Sequence, residues 1–221
     1  MTLFMMASIG LAIVQDNPAA TAKPRDEKWV KRHDELVERA KKGEVDVMFL
    51  GDSITEGWKY NGKKLWEKEY APLKAANFGI SGDSTQHVLW RLRNGELEGI
   101  TPRAVVLMIG TNNVGAHSAD QIAGGVEAIV KELRAKLPKV KILLLAIFPR
   151  GEKPGTARET IAKVNEKIKA LGDAWVDLTE KFVGDGGVIS KEIMPDFLHL
   201  SAKGYEIWAD GIREELAKLL K

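Results

Sequence analysis

Ser53 is the first residue in the chain whose type and setting could do chemistry. It follows a short apolar run and a glycine, in the segment Gly51-Asp52-Ser53. A serine hydroxyl is a weak nucleophile until a neighbouring base removes its proton. The apolar run predicts a strand, so the turn would hold the serine oxygen at the end of that strand. Taken alone, this segment is weak evidence for a catalytic serine, because serines in such turns more often cap helices.

A base for this serine must come from the four histidines of the chain. Only His199 has a carboxylate three residues before it in a predicted loop, that of Asp196. One turn can then set this carboxylate against Nδ1 and leave Nε2 to face the serine. We expect His33 to be a packed structural residue of a predicted helix and His87 to lie at the surface or rim. His117 follows an asparagine pair and could reach the mouth of the site.

Acyl transfer also needs donors aimed at the oxyanion that develops on the carbonyl. Gly82 can bring its N–H close because it has no side chain. Asn112 offers a side-chain amide, and the N–H of Ser53 would be a third donor. We expect Asp52 and Asn113, which adjoin these residues, to bind substrate. Each residue alone is unremarkable, but together they complete a hydrolase site.

The elements that must position these residues alternate between strands and helices. The predicted strands are continuous apolar runs, which is typical of a parallel sheet covered on both faces. Ligands bind such sheets beyond the carboxyl ends of the strands, and the Gly, Ser and Asn segments follow the first three strands. The predicted strands cover residues 45–50, 75–78, 104–109, 140–148 and 174–178, and the helices residues 26–42, 84–94, 119–137, 158–171 and 201–220.

The composition of the chain argues against several other kinds of protein and site. The 221 residues suit one domain, with 44% hydrophobic and 29% charged residues and a net charge of +2. No long run of one sign of charge occurs, so a nucleic-acid partner is not indicated. The chain has no cysteine, which excludes thiol catalysis, disulfides and cysteine metal sites.

The N-terminus has two interpretations. Residues 3–14 are nearly all apolar but too few to span a bilayer, and Ala20-Thr21-Ala22 has the pattern of a signal-peptidase site. No Lys or Arg precedes the apolar run, which argues against a signal peptide. We expect residues 1–22 to be either a signal peptide or an apolar arm, and residues 23–221 to form a single domain. The first interpretation predicts a secreted or periplasmic protein, the second a cytoplasmic one.

The order of these segments resembles the blocks of the GDSL/SGNH hydrolases: residues 51–54, Gly82, residues 110–113 and residues 196–199. More narrowly, several segments are similar to the catalytic subunits of intracellular platelet-activating-factor acetylhydrolase: residues 77–92, 94–97, 110–113, 124–125, 149–154 and 196–200. The resemblance runs from about residue 46 to the C-terminus. It implies an α/β fold, a flavodoxin-like three-layer α/β/α sandwich with a parallel five-stranded sheet of order 2-1-3-4-5.

The resemblance also implies roles. Ser53 would be the nucleophile, His199 the general base and then acid, and Asp196 its orienting partner. The N–H groups of Ser53 and Gly82 and the amide of Asn112 would form the oxyanion hole. No metal and no cofactor would be needed, and an open groove would take small acyl groups.

The expected function is a serine esterase acting on short-chain, acetyl-type esters. Ser81 stands where a glycine is expected beside Gly82, and residues 193–195 differ from the animal subunits, so the substrate stays open. A carbohydrate acetylesterase and an enzyme like platelet-activating-factor acetylhydrolase are both candidates. The alternatives are a thioesterase or lysophospholipase on the same site, or a non-catalytic binding module. The partner would be a small-molecule ester, and a homodimer is one assembly open to the chain.

Overall fold

A single parallel sheet forms the centre of the protein. The computed structural model describes residues 16–221, so the apolar run of residues 3–14 lies outside the described residues. The sheet has five strands in the order β2-β1-β3-β4-β5, and every neighbouring pair is parallel. The predicted sheet and strand order are therefore confirmed. The strands are β1 (Val47–Gly51), β2 (Ala75–Gly79), β3 (Ala104–Met108), β4 (Lys141–Leu145) and β5 (Ala174–Val176).

Helices connect the strands and cover both faces of the sheet. They are α1 (Glu27–Lys41), α2 (Ser53–Glu56), α3 (Lys63–Glu69), α4 (Thr85–Arg93), α5 (Ala119–Lys136), α6 (Thr156–Ile168), α7 (Thr179–Phe182) and α8 (Ala202–Leu219). Short 3₁₀ turns occur at Pro18–Ala20, Gly57–Lys59, Ala71–Leu73, Thr111–Asn113 and Asp185–Gly187. Sequence periodicity predicts the five long helices but not α2, α3 and α7, which are too short to show a helical repeat.

The strand pleat divides the core in two, because successive side chains point to opposite faces of a sheet. Met48 and Leu50 of β1 pack with the helices α1, α4, α5 and α6, whereas Val47 and Phe49 pack with α8 and the segment around Trp58. Every residue of β1 and β3 is buried. This burial on both faces explains the continuous apolar runs of the sequence.

Residues just before α1 pack on the same domain. Asn17 caps the Pro18–Ala20 turn, and its side-chain amide donates to the Gln121 carbonyl at 3.0 Å. Ala19 is completely buried, and its carbonyl accepts from the Thr85 hydroxyl at 2.7 Å. The turn therefore packs on the N-terminal ends of α4 and α5. The division of the chain at residue 23 stays a prediction.

Candidate active site

The turn after β1 places Ser53 at the carboxyl edge of the sheet. Gly51 ends the strand, and a Cβ there would lie 2.2 Å from Thr55 Oγ1 and 2.4 Å from the Met108 carbonyl. Only glycine fits such a close approach. Asp52 caps α2 by accepting from the Ile54 N–H at 2.9 Å. Ser53 is therefore the first residue of α2 and is partly exposed.

His199 and Asp196 are joined within one loop. Asp196 Oδ1 accepts from the N–H groups of Leu198 at 3.1 Å and His199 at 2.7 Å, which bends the chain back on itself. Phe197 between them has φ of 60°, a left-handed conformation that a turn requires. The second carboxylate oxygen of Asp196 lies 2.6 Å from His199 Nδ1. The expected contact between the two side chains is present.

The contacts between Asp196 and His199 favour the ionised form of the Asp196 carboxylate. Desolvation pushes the pKa of Asp196 upward, but the hydrogen bonds from the ring and main chain of His199 outweigh it and hold the pKa below its ordinary value. An ionised Asp196 can only accept, so Nδ1 is the ring nitrogen of His199 that donates to it. Nε2 lies 3.0 Å from Ser53 Oγ. The three side chains thus form a continuous chain of hydrogen bonds that ends on the serine hydroxyl.

The loops after β2 and β3 contain Gly82 and Asn112, the residues that are expected to donate to an oxyanion. Gly82 has φ of 80° in the turn that follows β2. Asn112 lies in the 3₁₀ turn after β3, and its side-chain amide donates to the Asp83 carbonyl at 2.8 Å. Within residues 16–221, the N–H groups of Ser53 and Gly82 donate to no protein acceptor. Because β1 lies between β2 and β3, all three donors belong to neighbouring loops.

Asp52 and Asn113, expected to bind substrate, are both completely buried. The amide of Asn113 accepts from the Thr85 N–H at 2.9 Å and donates to the Thr85 hydroxyl at 3.1 Å and to Gln86 Oε1 at 3.0 Å. Asp52 caps α2, and its Oδ2 has no hydrogen-bond partner among the described residues. Burial raises the pKa of Asp52 to about 7. The expectation of substrate contact has no support in this geometry, because neither side chain reaches the surface.

The other three histidines lie apart from the serine. His33 is buried, with Nε2 2.8 Å from the Asn94 carbonyl. His87 caps α4 by accepting from the Ser84 N–H at 3.0 Å, and burial lowers its pKa to about 4. His117 is half-buried, and its main-chain N–H donates to the Asn113 carbonyl at 3.1 Å.

Comparison with known proteins decides the family. Residues 49–207 match the GDSL-like Lipase/Acylhydrolase family.

The chain belongs to this family.

It is a carboxylic ester hydrolase. The chain is 41% identical over 201 residues to platelet-activating factor acetylhydrolase IB subunit alpha2 of Homo sapiens, covering 89% of this chain and 86% of that protein. It is 39% identical over 216 residues to subunit alpha1 of the same species, and the match covers 93% of this chain and 92% of that protein.

Solved structures agree on the fold of this acylhydrolase. A GDSL-like lipase from Bacteroides thetaiotaomicron has a TM-score of 0.69 at 24% identity, covering 86% of this chain and 96% of that one. A carbohydrate esterase family 3 from Talaromyces cellulolyticus has a TM-score of 0.59 at 21% identity, covering 80% and 98%. At these identities the likeness concerns the fold alone.

In the described part of this acylhydrolase, no helix is both long and apolar enough to cross a membrane. Over the same residues, no three His, Asp or Glu side chains are grouped so that they could hold a metal ion.

Sequence reasoning missed a group of buried charges behind the Gly82 turn of this acylhydrolase. Asp83, Arg91 and Glu96 have no exposed surface. A signal for it exists in α4, where Arg91 is three residues after Val88 and so shares its buried face. A charged residue within the apolar stripe of a helix needs a buried partner, but the stripe alone does not say which one.

Proposed function

We propose that this acylhydrolase is a serine esterase that cleaves short-chain, acetyl-type esters through an acyl-enzyme. The observation that carries the proposal is the chain of contacts from Asp196 Oδ2 to His199 Nδ1 at 2.6 Å and from His199 Nε2 to Ser53 Oγ at 3.0 Å. A serine, a base and an orienting carboxylate in hydrogen-bond reach are the parts that nucleophilic acyl transfer requires.

The proposed reaction has two halves. Ser53 Oγ attacks the ester carbonyl while His199 Nε2 takes its proton, and the C–O bond to the alcohol then breaks. His199 returns the proton to the departing alcohol. Water attacks the acyl-serine in the same way and releases the carboxylic acid. In both halves the N–H groups of Ser53 and Gly82 and the amide of Asn112 stabilise the negative carbonyl oxygen.

The exposed position of Asp196 and His199 supports varied alcohols as leaving groups, and the names of the relatives support a small acyl group. The side chains of Asp196 and His199 are 55% and 44% exposed, so they do not enclose a bound ester. The curated relatives are named acetylhydrolases of platelet-activating factor, an acetyl ester. We therefore propose acetyl esters of a sugar or of a glycerophospholipid as the natural substrates.

The deciding experiment is an ester series from para-nitrophenyl acetate to octanoate, with acetylated xylo-oligosaccharide and platelet-activating factor as candidate substrates. We expect kcat/KM to fall steeply beyond acetate, since each added methylene costs roughly tenfold or more in a small pocket. Ser53→Ala should abolish turnover, and Ser118→Ala, at an exposed helix cap, should not.

Other outcomes of the ester series would indicate one of the alternative functions. Rates that rise towards octanoate would indicate a lysophospholipase, and preference for acyl-thioesters a thioesterase. A folded protein with no turnover and no labelling of Ser53 by a fluorophosphonate would be a binding module. Activity retained by Ser53→Ala would remove the assignment of the nucleophile.

Two further proposals concern the whole protein. Export to the periplasm or outside the cell is supported by the apolar residues 3–14, and the mass of the mature protein in each cell fraction tests it. A homodimer is supported only by the resemblance to subunits of a larger enzyme, and sedimentation of the purified protein tests it.

A further inference from the structure

Arg91 of α4 lies at the centre of a fully buried ion cluster. Its Nε is 2.9 Å from Asp83 Oδ2, and its Nη1 is 2.7 Å from Glu96 Oε1 and 2.8 Å from Oε2. Glu96 also approaches His33 Nδ1 at 3.3 Å. Burying charges is costly even when they are paired, and apolar residues would often stabilise a fold as well. Stability alone therefore does not explain why these charges are buried.

The same guanidinium holds the ends of two strands. Its Nη1 donates to the Phe78 carbonyl at 3.0 Å, and its Nη2 donates to the Gly51 carbonyl at 3.2 Å. Gly51 ends β1, two residues before Ser53, and Phe78 is the penultimate residue of β2, just before the Gly82 turn. One side chain thus fixes the nucleophile strand relative to the oxyanion strand.

Asp83 fixes the Gly82 turn from the other side. Its carboxylate accepts from the Trp29 indole N–H at 2.6 Å, and its main-chain N–H donates to the Ile80 carbonyl at 3.2 Å. Its own carbonyl accepts from the amide of Asn112 at 2.8 Å. The residue that follows Gly82 therefore touches both loops that carry expected oxyanion donors.

Arg25, before α1, closes the turn from outside. Its guanidinium donates to the Ser81 carbonyl at 2.7 Å and lies 3.4 Å from Asp83 Oδ1. A Cβ on Gly82 would lie 3.0 Å from the same guanidinium. The turn is thus held between a buried cation and a surface cation.

We propose that Asp83 and Arg91 are positioning residues for the oxyanion hole, which hold the Gly82 N–H and the Asn112 amide in place relative to Ser53. The proposal rests on the proposed function. Oxyanion donors act through preorganisation, so a loosened loop weakens binding of the transition state more than binding of the ester. The expected signature is a loss in kcat with KM nearly unchanged.

Asp83→Asn tests the proposal, because it keeps the size and an acceptor for Trp29 but removes the charge opposite Arg91. With para-nitrophenyl acetate we expect kcat to fall roughly 10- to 100-fold and KM to change less than about threefold. Glu132→Gln is the matched control. Glu132 of α5 lies 2.8 Å from Arg93, which belongs to the same helix as Arg91, but this pair is partly exposed and contacts neither loop of the expected oxyanion donors. Both constants should therefore stay at the wild-type values.

A double-mutant cycle separates positioning from general damage. In the Asn112→Ala background, Asp83→Asn should cost at least about threefold less in kcat than in the wild type, because one of the donors it positions is gone. An equal loss in both backgrounds, or a lower Tm with normal kcat, would overturn the proposal.

A milder variant covers the case in which Asp83→Asn does not fold. Trp29→Phe removes one donor to the same carboxylate, and kcat should fall about 3- to 10-fold at unchanged KM. An unchanged kcat would again overturn the proposal. A wild-type protein with no turnover, or a Ser53→Ala variant that keeps it, would instead overturn the proposed function, and the positioning role with it.

Discussion

The side chain of Asn112 donates to the main-chain carbonyl of Asp83 at 2.8 Å, so the loop after β3 is tied to the loop after β2. A primary amide carries two hydrogens, and this bond uses only one of them. The other can be given to an oxyanion without breaking the contact between the loops. Asn112 can therefore hold its own position while it acts on substrate.

Replacing Asn112 by Ala should lower kcat for para-nitrophenyl acetate roughly 100- to 1,000-fold, with a smaller change in KM. Steady-state kinetics of the purified variant measure both constants. Asn94→Ala is the control, since its exposed amide donates to the Trp90 carbonyl at 2.7 Å, away from the serine. A kcat near the wild-type value in Asn112→Ala would remove this residue from the oxyanion hole.

Asp196→Asn should reduce kcat by roughly 100-fold or more. Asn keeps an oxygen that can accept from the N–H groups of Leu198 and His199, so the loop should keep its shape. It no longer favours hydrogen on Nδ1 of His199, and the ring then presents the wrong tautomer to Ser53. The ¹⁵N shifts of the imidazole report the tautomer directly. A variant with normal kcat would mean that Asp196 does not orient the base.

Asp52 should make the stability of the protein depend on pH. Its pKa is 3.8 in the unfolded reference and about 7 in the buried site, so the folded state binds the extra proton. The free energy of unfolding should then fall as pH rises between these values, by up to about 4 kcal/mol from this group. Asp52→Asn removes that dependence and retains an acceptor for the Ile54 N–H.

Urea unfolding at pH 5 and pH 8 measures this effect as the difference between wild type and Asp52→Asn. The difference should change with pH, because the free energy of unfolding of the wild type should fall relative to that of Asp52→Asn between pH 5 and pH 8. Parallel pH profiles for wild type and Asp52→Asn would show that Asp52 is ionised throughout.

A chain that begins at Lys23 should be less stable than one that begins at Asp16, by about 2–3 kcal/mol. The shorter chain loses the buried Ala19 and leaves the Thr85 hydroxyl without its acceptor. Thermal unfolding of the two proteins gives the comparison. Equal Tm values would mean that the turn at Pro18–Ala20 adds nothing to the domain, and the boundary predicted at residue 23 would gain support.

The fold was accessible from the sequence because its strands are short apolar runs between helices with clear periodicity. Ser53, Asp196 and His199 stood out because a serine after a strand and a carboxylate three residues before a histidine are local patterns. Asp52 and Asn113 show the limit of such reasoning, because their burial depends on α4 and on neighbouring strands far away in sequence.

The cluster around Arg91 was out of reach for the same reason. Trp29 meets Asp83 across 54 positions of the chain, and nothing local in either segment names the other. Pairing between buried charges is a tertiary property. The sequence could only have marked Arg91 as a charge on an apolar face.

The contact between Ser53 and His199 joins residues 146 positions apart. During synthesis, β1, β2 and β3 and the turns of Ser53, Gly82 and Asn112 that follow them leave the ribosome before the loop of His199. Under the proposed function, the nascent chain would then hold a nucleophile without its base, and hydrolysis would begin only when the contact between Ser53 and His199 forms. Under the proposed function, the appearance of esterase activity would report the formation of this contact between distant residues, whereas helix content would report local structure.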